Sequence, residues 1–160
     1  MAHFAKIGID NKVLGVLKIG TKDNMDDEGV EREECGIKFL QDLTGHETWV
    51  QCSYNTRNGT HKNDKTPLRV NYPAVGWYYD STNDMFHPPR PVDVNGNPCN
   101  SWTLNTSTGQ WEPPLPVPGY DKVSAPQICD HEWNETNYQE DNTTGWVPVI
   151  GTGVEGQEPE

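Results

Sequence analysis

Alternation of apolar and polar positions organises the start of the chain. Ala5, Ile7 and Ile9 alternate with polar or small residues, Asp10-Asn11 supplies a turn pair, and residues 13–19 are almost continuously apolar. This pattern predicts a hairpin over 4–19 whose second strand is buried on both faces. Residues 20–29 are acidic and irregular. Asp23, Asn24, Asp26, Asp27 and Glu28 lack the alternate spacing, the central Gly and the distal Glu of an EF-hand. The period then becomes helical over 30–43, where Cys35 with Phe39, and Ile37 with Leu40 and Leu43, form one apolar stripe expected to pack on the hairpin as core. Asp26 or Asp27 is placed to cap this helix. Glu31, Glu33 and Glu34 suit the positive end of its dipole, and Gly45 is a stop. Residues 48–54 read as a strand and 55–66 as a polar loop. Residues 68–79 read as an extended stretch that Pro73 confines to an edge or a bend.

A thirteen-residue unit then occurs twice, 25 positions apart. One copy runs from Trp77 through Phe86 to Pro88-Pro89, the other from Trp102 through Trp111 to Pro113-Pro114. Each reads Trp, eight residues, an aromatic, one residue, Pro-Pro, with a centre of Asp/Asn, Ser, Thr and Gly. Such a centre is a turn, and the Pro-Pro ends the second strand, so each unit is a hairpin. Trp77 with Phe86, and Trp102 with Trp111, are the expected cross-strand pairs. The segment from Trp133 to Trp146-Val-Pro148 reads as a degenerate copy, its Asn134-x-Thr136 echoing the Asn105 turn across a longer spacing. Pro88, Pro89 and Pro91, and Pro113, Pro114, Pro116 and Pro118, are stiff, extended connectors. The expected fold is mainly β with one α-helix (α+β). It divides into a compact N-terminal α+β domain over 1–79, a β-hairpin repeat region with Pro-rich connectors over 80–150, and a flexible acidic tail over 151–160.

Composition thins the picture of the core. Only 32% of the 160 residues are hydrophobic, with 15 Gly and 13 Pro, against about 45–50% apolar in an average domain. Six Trp and six Tyr nevertheless argue for folded structure over plain disorder. An isolated two-stranded hairpin is marginal in water. The hairpins are therefore expected to pack on the N-terminal part, on each other or on another protein. The net charge of −12 disfavours nucleic acid and anionic membrane as partners. The charge is uneven. Residues 123–160 carry eight acids and no Lys or Arg, while the segment 57–69 carries Arg57, Lys62, Lys65 and Arg69 against Asp64 alone. The start lacks a basic region followed by an apolar run, and no stretch is apolar enough to span a membrane.

Little in the sequence reads as catalysis, and no catalytic, cofactor-binding or metal residues are assigned. Cys35, Cys52, Cys99 and Cys129 form no CxxC and are expected as free thiols of a protein made in a reducing cytosol. Cys129-Asp130-His131 is the one close group of potential ligands, and a single Cys/His pair reads as polar residues at the surface. Gly151-Thr-Gly153-Val-Glu-Gly156 matches GxGxxG, but too few residues follow to form the helix that holds a pyrophosphate. Asn-x-Ser/Thr at Asn58, Asn105, Asn134 and Asn142 reads as turn chemistry. The aromatics Trp77, Tyr79, Phe86, Trp102, Trp111, Trp133 and Trp146 are the candidate residues, as hairpin core or as an interface. The alternative is a set of exposed platforms that stack on sugars.

Several stretches carry a resemblance: Met1-Ala-His-Phe-Ala-Lys-Ile-Gly8, Trp49-Val-Gln-Cys-Ser-Tyr-Asn-Thr56, Leu68-Arg-Val-Asn-Tyr-Pro-Ala-Val-Gly-Trp77, and the units Asp80…Phe86-x-Pro-Pro and Trp111-Glu-Pro-Pro. They resemble a family of small virion-associated proteins of marine tailed bacteriophages, of the cyanophage type. The resemblance runs through roughly residues 1–114 and is patchy after 120, where an insertion lies between Trp133 and Trp146. It implies a protein of the virion, made in the host cytoplasm, and carries over no catalytic residues. The expected role is a non-enzymatic structural accessory that binds other phage structural proteins, or itself, on the head or tail surface. The alternative is a carbohydrate-binding, receptor-recognition module of a tail or fibre, with a host-surface glycan as partner.

Overall fold

The computed structural model of the protein describes residues 1–119 and 130–149. The expectations for Cys129, for the glycine motif at 151–156 and for the acidic tail lie outside the described residues. The fold is mainly β with a principal helix, as the sequence pattern predicts. It divides into two units, the first comprising Met1–Pro89 with Leu104–Glu112, the second Arg90–Thr103 with the chain from Pro113 onward.

In the first unit, β1 (Ala2–Ile7) and β2 (Val13–Ile19) form the expected hairpin. Asp10 and Asn11 turn it at φ 59° and 60°, a region that short polar side chains tolerate better than others. β3 (Trp49–Cys52) pairs antiparallel with the other side of β1, giving the order β2-β1-β3. The strand covered on both faces is thus β1. On one face Ala2 and Phe4 meet Ile19, Leu40 and Trp49. On the other, Ala5 and Ile7 meet Val13, Val50, Cys52 and Phe86. This corrects the expectation for β2. With a strand along only one side it is an edge, and Leu14 and Leu17 remain 50% and 43% exposed.

Helix α1 (Glu33–Thr44) begins later than residue 30 because neither acid expected as its cap takes that place. The Asp26 carboxylate instead accepts the backbone N–H groups of Glu28 and Val30 and the Nε–H of Arg32, closing the acidic loop on itself. Gly45 ends the helix at φ 72°, donating its N–H to Gln41 O. The apolar stripe is narrower than its period implies. Leu40 is fully buried, Ile37 and Phe39 pack half-buried beside it, and Leu43 is exposed. The closest approach to the sheet is made by Gly36, where a Cβ would run into the Phe4 ring and the Asn24 side chain.

The polar segment 55–66 contains a small hairpin, β4 (Thr56–Arg57) with β5 (Thr60–His61). Asn58-Gly59 turns it at φ 50° and 72°, the backbone that two-residue hairpins require. The stretch 68–79 is not uniformly extended, since Arg69 and Val70 sit at φ 54° and 63°. A β-branched residue there is strained and persists only where its surroundings fix it. Here Val70 O accepts from Gly59 N, and Arg69 O accepts from Phe86 N. Both aromatic hairpins form, as β6 (Tyr78–Asp80) with β7 (Met85–His87), and β8 (Thr103–Asn105) with β9 (Gln110–Glu112). The division expected at 79/80 does not fall there, because Phe86 is core beneath β1 and carries β6 and β7 into the first unit.

In the second unit, β10 (His131–Trp133) pairs antiparallel with β11 (Trp146–Pro148), and Trp133 lies opposite Trp146. A short helix, α2 (Glu135–Glu140), occupies the connection, capped by Asn134 Oδ1, which accepts Asn137 N–H at 3.0 Å. This inserted helical turn accounts for the longer Trp-to-Trp spacing. Asn105 likewise closes its turn by accepting Ser107 N–H at 2.9 Å.

Candidate functional site

In the first unit, one buried amide organises the polar face. Asn71, 2% exposed, accepts Asn58 N–H at 2.8 Å and donates to Phe86 O at 3.0 Å and Thr108 O at 2.9 Å. It thereby joins the β4–β5 turn, β7 and the β8–β9 turn. Arg69 beside it donates to Glu33 Oε2 at 3.0 Å, Asp84 Oδ1 at 2.8 Å and Gln51 O at 2.8 Å. Burial opposes its charge, but Glu33, Tyr79 and Asp84 outweigh that and raise its pKa. The basic segment read from the sequence therefore presents Arg57, Lys62 and Lys65 outward, and Arg69 serves inside.

Around Asn71, a cleft of about 450 Å³ is lined by Tyr54, Tyr72, Trp77, Arg57, Asn58 and Gln110 among others. Tyr54 and Tyr72 meet edge to face at 5.7 Å, and His3 stacks against Tyr54 at 6.3 Å. Gln110 Nε2 donates to Asn58 Oδ1 at 3.0 Å, linking the β4–β5 turn to β9.

The second unit is built on indoles. Trp102, Trp133 and Trp146 contact one another with ring centroids 6.0, 6.2 and 5.1 Å apart and planes inclined at 77°, 58° and 77°. Trp133 Nε1 donates to Glu135 Oε2 at 2.8 Å, and Trp146 Nε1 donates to Leu115 O at 3.1 Å. Trp102 Nε1 is buried without an acceptor among the described residues. Glu135 also accepts from Ser101 N, Ser101 Oγ and Gln139 Nε2, and its own N–H donates to Asp93 Oδ2 at 3.0 Å. Burial opposes the charges of Glu135 and Asp93, yet the converging hydrogen bonds outweigh it and hold both carboxyls below their ordinary values.

The seven candidate aromatics are thus divided. Trp77, Tyr79, Phe86 and Trp111 belong to the first unit, and Trp102, Trp133 and Trp146 to the second. The expected pairs need correction. Phe86 lies opposite Tyr79, at 5.2 Å, while Trp77 packs beside the same core, half-buried. Trp102 and Trp111 lie in different units. Trp111 meets the edge of His87 at 6.0 Å and donates Nε1–H to Pro88 O at 3.0 Å. In both copies the leading Trp stands one residue before its strand begins, outside the ladder. Sequence reasoning missed Tyr54, Arg57, Tyr72 and Asn71. The Asn58-Gly59 pair was the signal for the turn that gathers them.

Burial pushes the thiol of Cys52 up to about 12 and that of Cys99 up to about 11, and neither is in a disulfide. Among the described residues no group of three or more His, Cys, Asp or Glu is placed to hold a metal, and no helix is long and apolar enough to cross a membrane. Comparison with family models, curated proteins and solved structures found no match.

Proposed function

We propose that this chain is a non-enzymatic structural accessory protein of a tailed-phage virion, seated against neighbouring subunits on the head or tail surface. The observation that carries this reading is the apolar surface at the open edge of the first unit's sheet. Beyond Val13, whose N–H and C=O bond to the segment ending at Trp77, the outer edge of β2 has no backbone partner among the described residues. Leu14 and Leu17 are half exposed along that strand, Ile9 is 89% exposed in its turn, and Val75 is 71% exposed beside it. Native proteins usually blunt an open edge with charge or Pro, because unpaired strand groups recruit another chain. An open edge that carries one charge, Lys18, beside the exposed Leu14 and Leu17 suits a protein completed by its neighbours. The resemblance to virion-associated phage proteins points the same way and gives the partner class.

The test is quantitative mass spectrometry of density-purified particles of the phage that encodes the chain. The expected result is a fixed stoichiometry relative to the major capsid or tail protein that survives a salt wash. Absence of the chain from purified particles overturns the proposal.

A further inference from the structure

We infer that the cleft beside Asn71 is a binding site for an acidic saccharide, a pyranose unit bearing a carboxylate. This goes beyond the role in the particle and depends on no part of it.

The shape is suitable. A volume of about 450 Å³ falls within the roughly 300–1,000 Å³ of small-molecule sites. Its walls include Tyr54, Tyr72 and Trp77, flat faces of the kind that stack on the C–H face of a sugar ring. Tyr54 is 70% exposed. Burying its ring against a ligand would therefore remove apolar surface that folding leaves in water.

The polar groups are unspent. Within the described residues the hydroxyls of Tyr54 and Tyr72, the indole N–H of Trp77 and the guanidinium of Arg57 make no hydrogen bond. Asn58 and Gln110 bond to each other at 3.0 Å and retain further amide capacity. Among the described residues no carboxylate lines the cleft, and Arg57 is the one charged residue there. In a chain of net charge −12 this is a local reversal. The planar guanidinium fork matches a carboxylate bidentately. Rings for stacking, free donors for hydroxyls and one fork for an anion together select an acidic saccharide over a neutral one.

The site is also held rigid. The strained backbone at Arg69 and Val70 is fixed by bonds from Phe86 and Gly59. Asn71 anchors the turn that carries Arg57 and Asn58. A ligand entering such a site pays little for ordering its backbone.

Calorimetric titration of the purified chain with tetragalacturonate, cellotetraose and adenosine monophosphate tests the inference. Tetragalacturonate should bind, and cellotetraose should bind about ten-fold more weakly. Tyr54→Ala and Arg57→Gln, both at exposed positions outside the core, should each weaken tetragalacturonate about ten-fold with an unchanged melting temperature. Arg57→Gln should also abolish the preference for the charged sugar. Failure of tetragalacturonate to bind the wild type, equal binding by the Tyr54→Ala protein, or tighter binding of the nucleotide would overturn it. Each outcome is read on the isolated chain, so it is separate from incorporation into particles.

Discussion

Asn71 ties three segments distant in sequence through one side-chain amide. Replacing it with Ala leaves a backbone donor at Asn58 and acceptors at Phe86 and Thr108 without that partner. Buried groups stranded in this way cost full desolvation, and Asn71→Ala is expected to destabilise the protein by about 3 kcal/mol. The measurement is the urea midpoint at an unchanged slope, and a loss under about 0.5 kcal/mol would contradict the role given to this amide. None of this was legible in the residue itself, since an Asn between Val70 and Tyr72 looks like any other turn former. By contrast, the Asn residues read as turn chemistry at 105 and 134 do close a turn and cap a helix. Those bonds reach only a few residues along the chain, and local bonds are what local sequence encodes.

At the scale of elements, α1 rests on the sheet through Gly36. An exposed helical Gly→Ala change gains about 1 kcal/mol of propensity. Here the added methyl meets Phe4 and Asn24, which are 0% and 1% exposed and have no room to move aside. The steric term wins, and Gly36→Ala should destabilise by about 2 kcal/mol, seen as a lower thermal midpoint. The open edge of β2 predicts a different behaviour. Leu17 is 43% exposed, so Leu17→Glu should leave the isolated chain's melting temperature within a degree or two yet reduce its incorporation into particles several-fold. Unchanged stoichiometry would remove this edge from the proposed interface. The helix, its Gly45 stop and the first hairpin were readable because period and punctuation are local. The edge position of β2 was not, because which strand becomes central depends on where β3 docks.

For the whole molecule, stability should be sensitive to acid. Asp84 of the first unit and Asp93 and Glu135 of the second are held below their ordinary values. A carboxyl whose folded pKa is depressed stabilises the fold above its unfolded pKa, and that contribution disappears as pH falls through the folded value. The ordinary values are 3.8 for Asp and 4.5 for Glu. The contribution of these three carboxyls should therefore be constant above about pH 5 and fall steadily below about pH 4. Tryptophan fluorescence against pH reads this, because Trp133 donates directly to Glu135. Glu135→Gln should flatten the acid dependence of the second unit, and an unaltered acid profile would contradict the assignment. The sequence by itself determined the mainly β class, the principal helix, the hairpins at both Trp…aromatic-x-Pro-Pro units and the turn role of Asn105. All of these follow from periodicity and backbone preference over a few residues. Only the tertiary structure decided the rest. It placed Tyr79 and not Trp77 opposite Phe86, sent Trp102 and Trp111 to different units, and drew Arg69 inward to Glu33 and Asp84. It also gathered Tyr54, Arg57, Tyr72 and Trp77 around Asn71. Those outcomes depend on burial and on hydrogen bonds between segments far apart in the chain, where spacing along the sequence carries no information about distance in space.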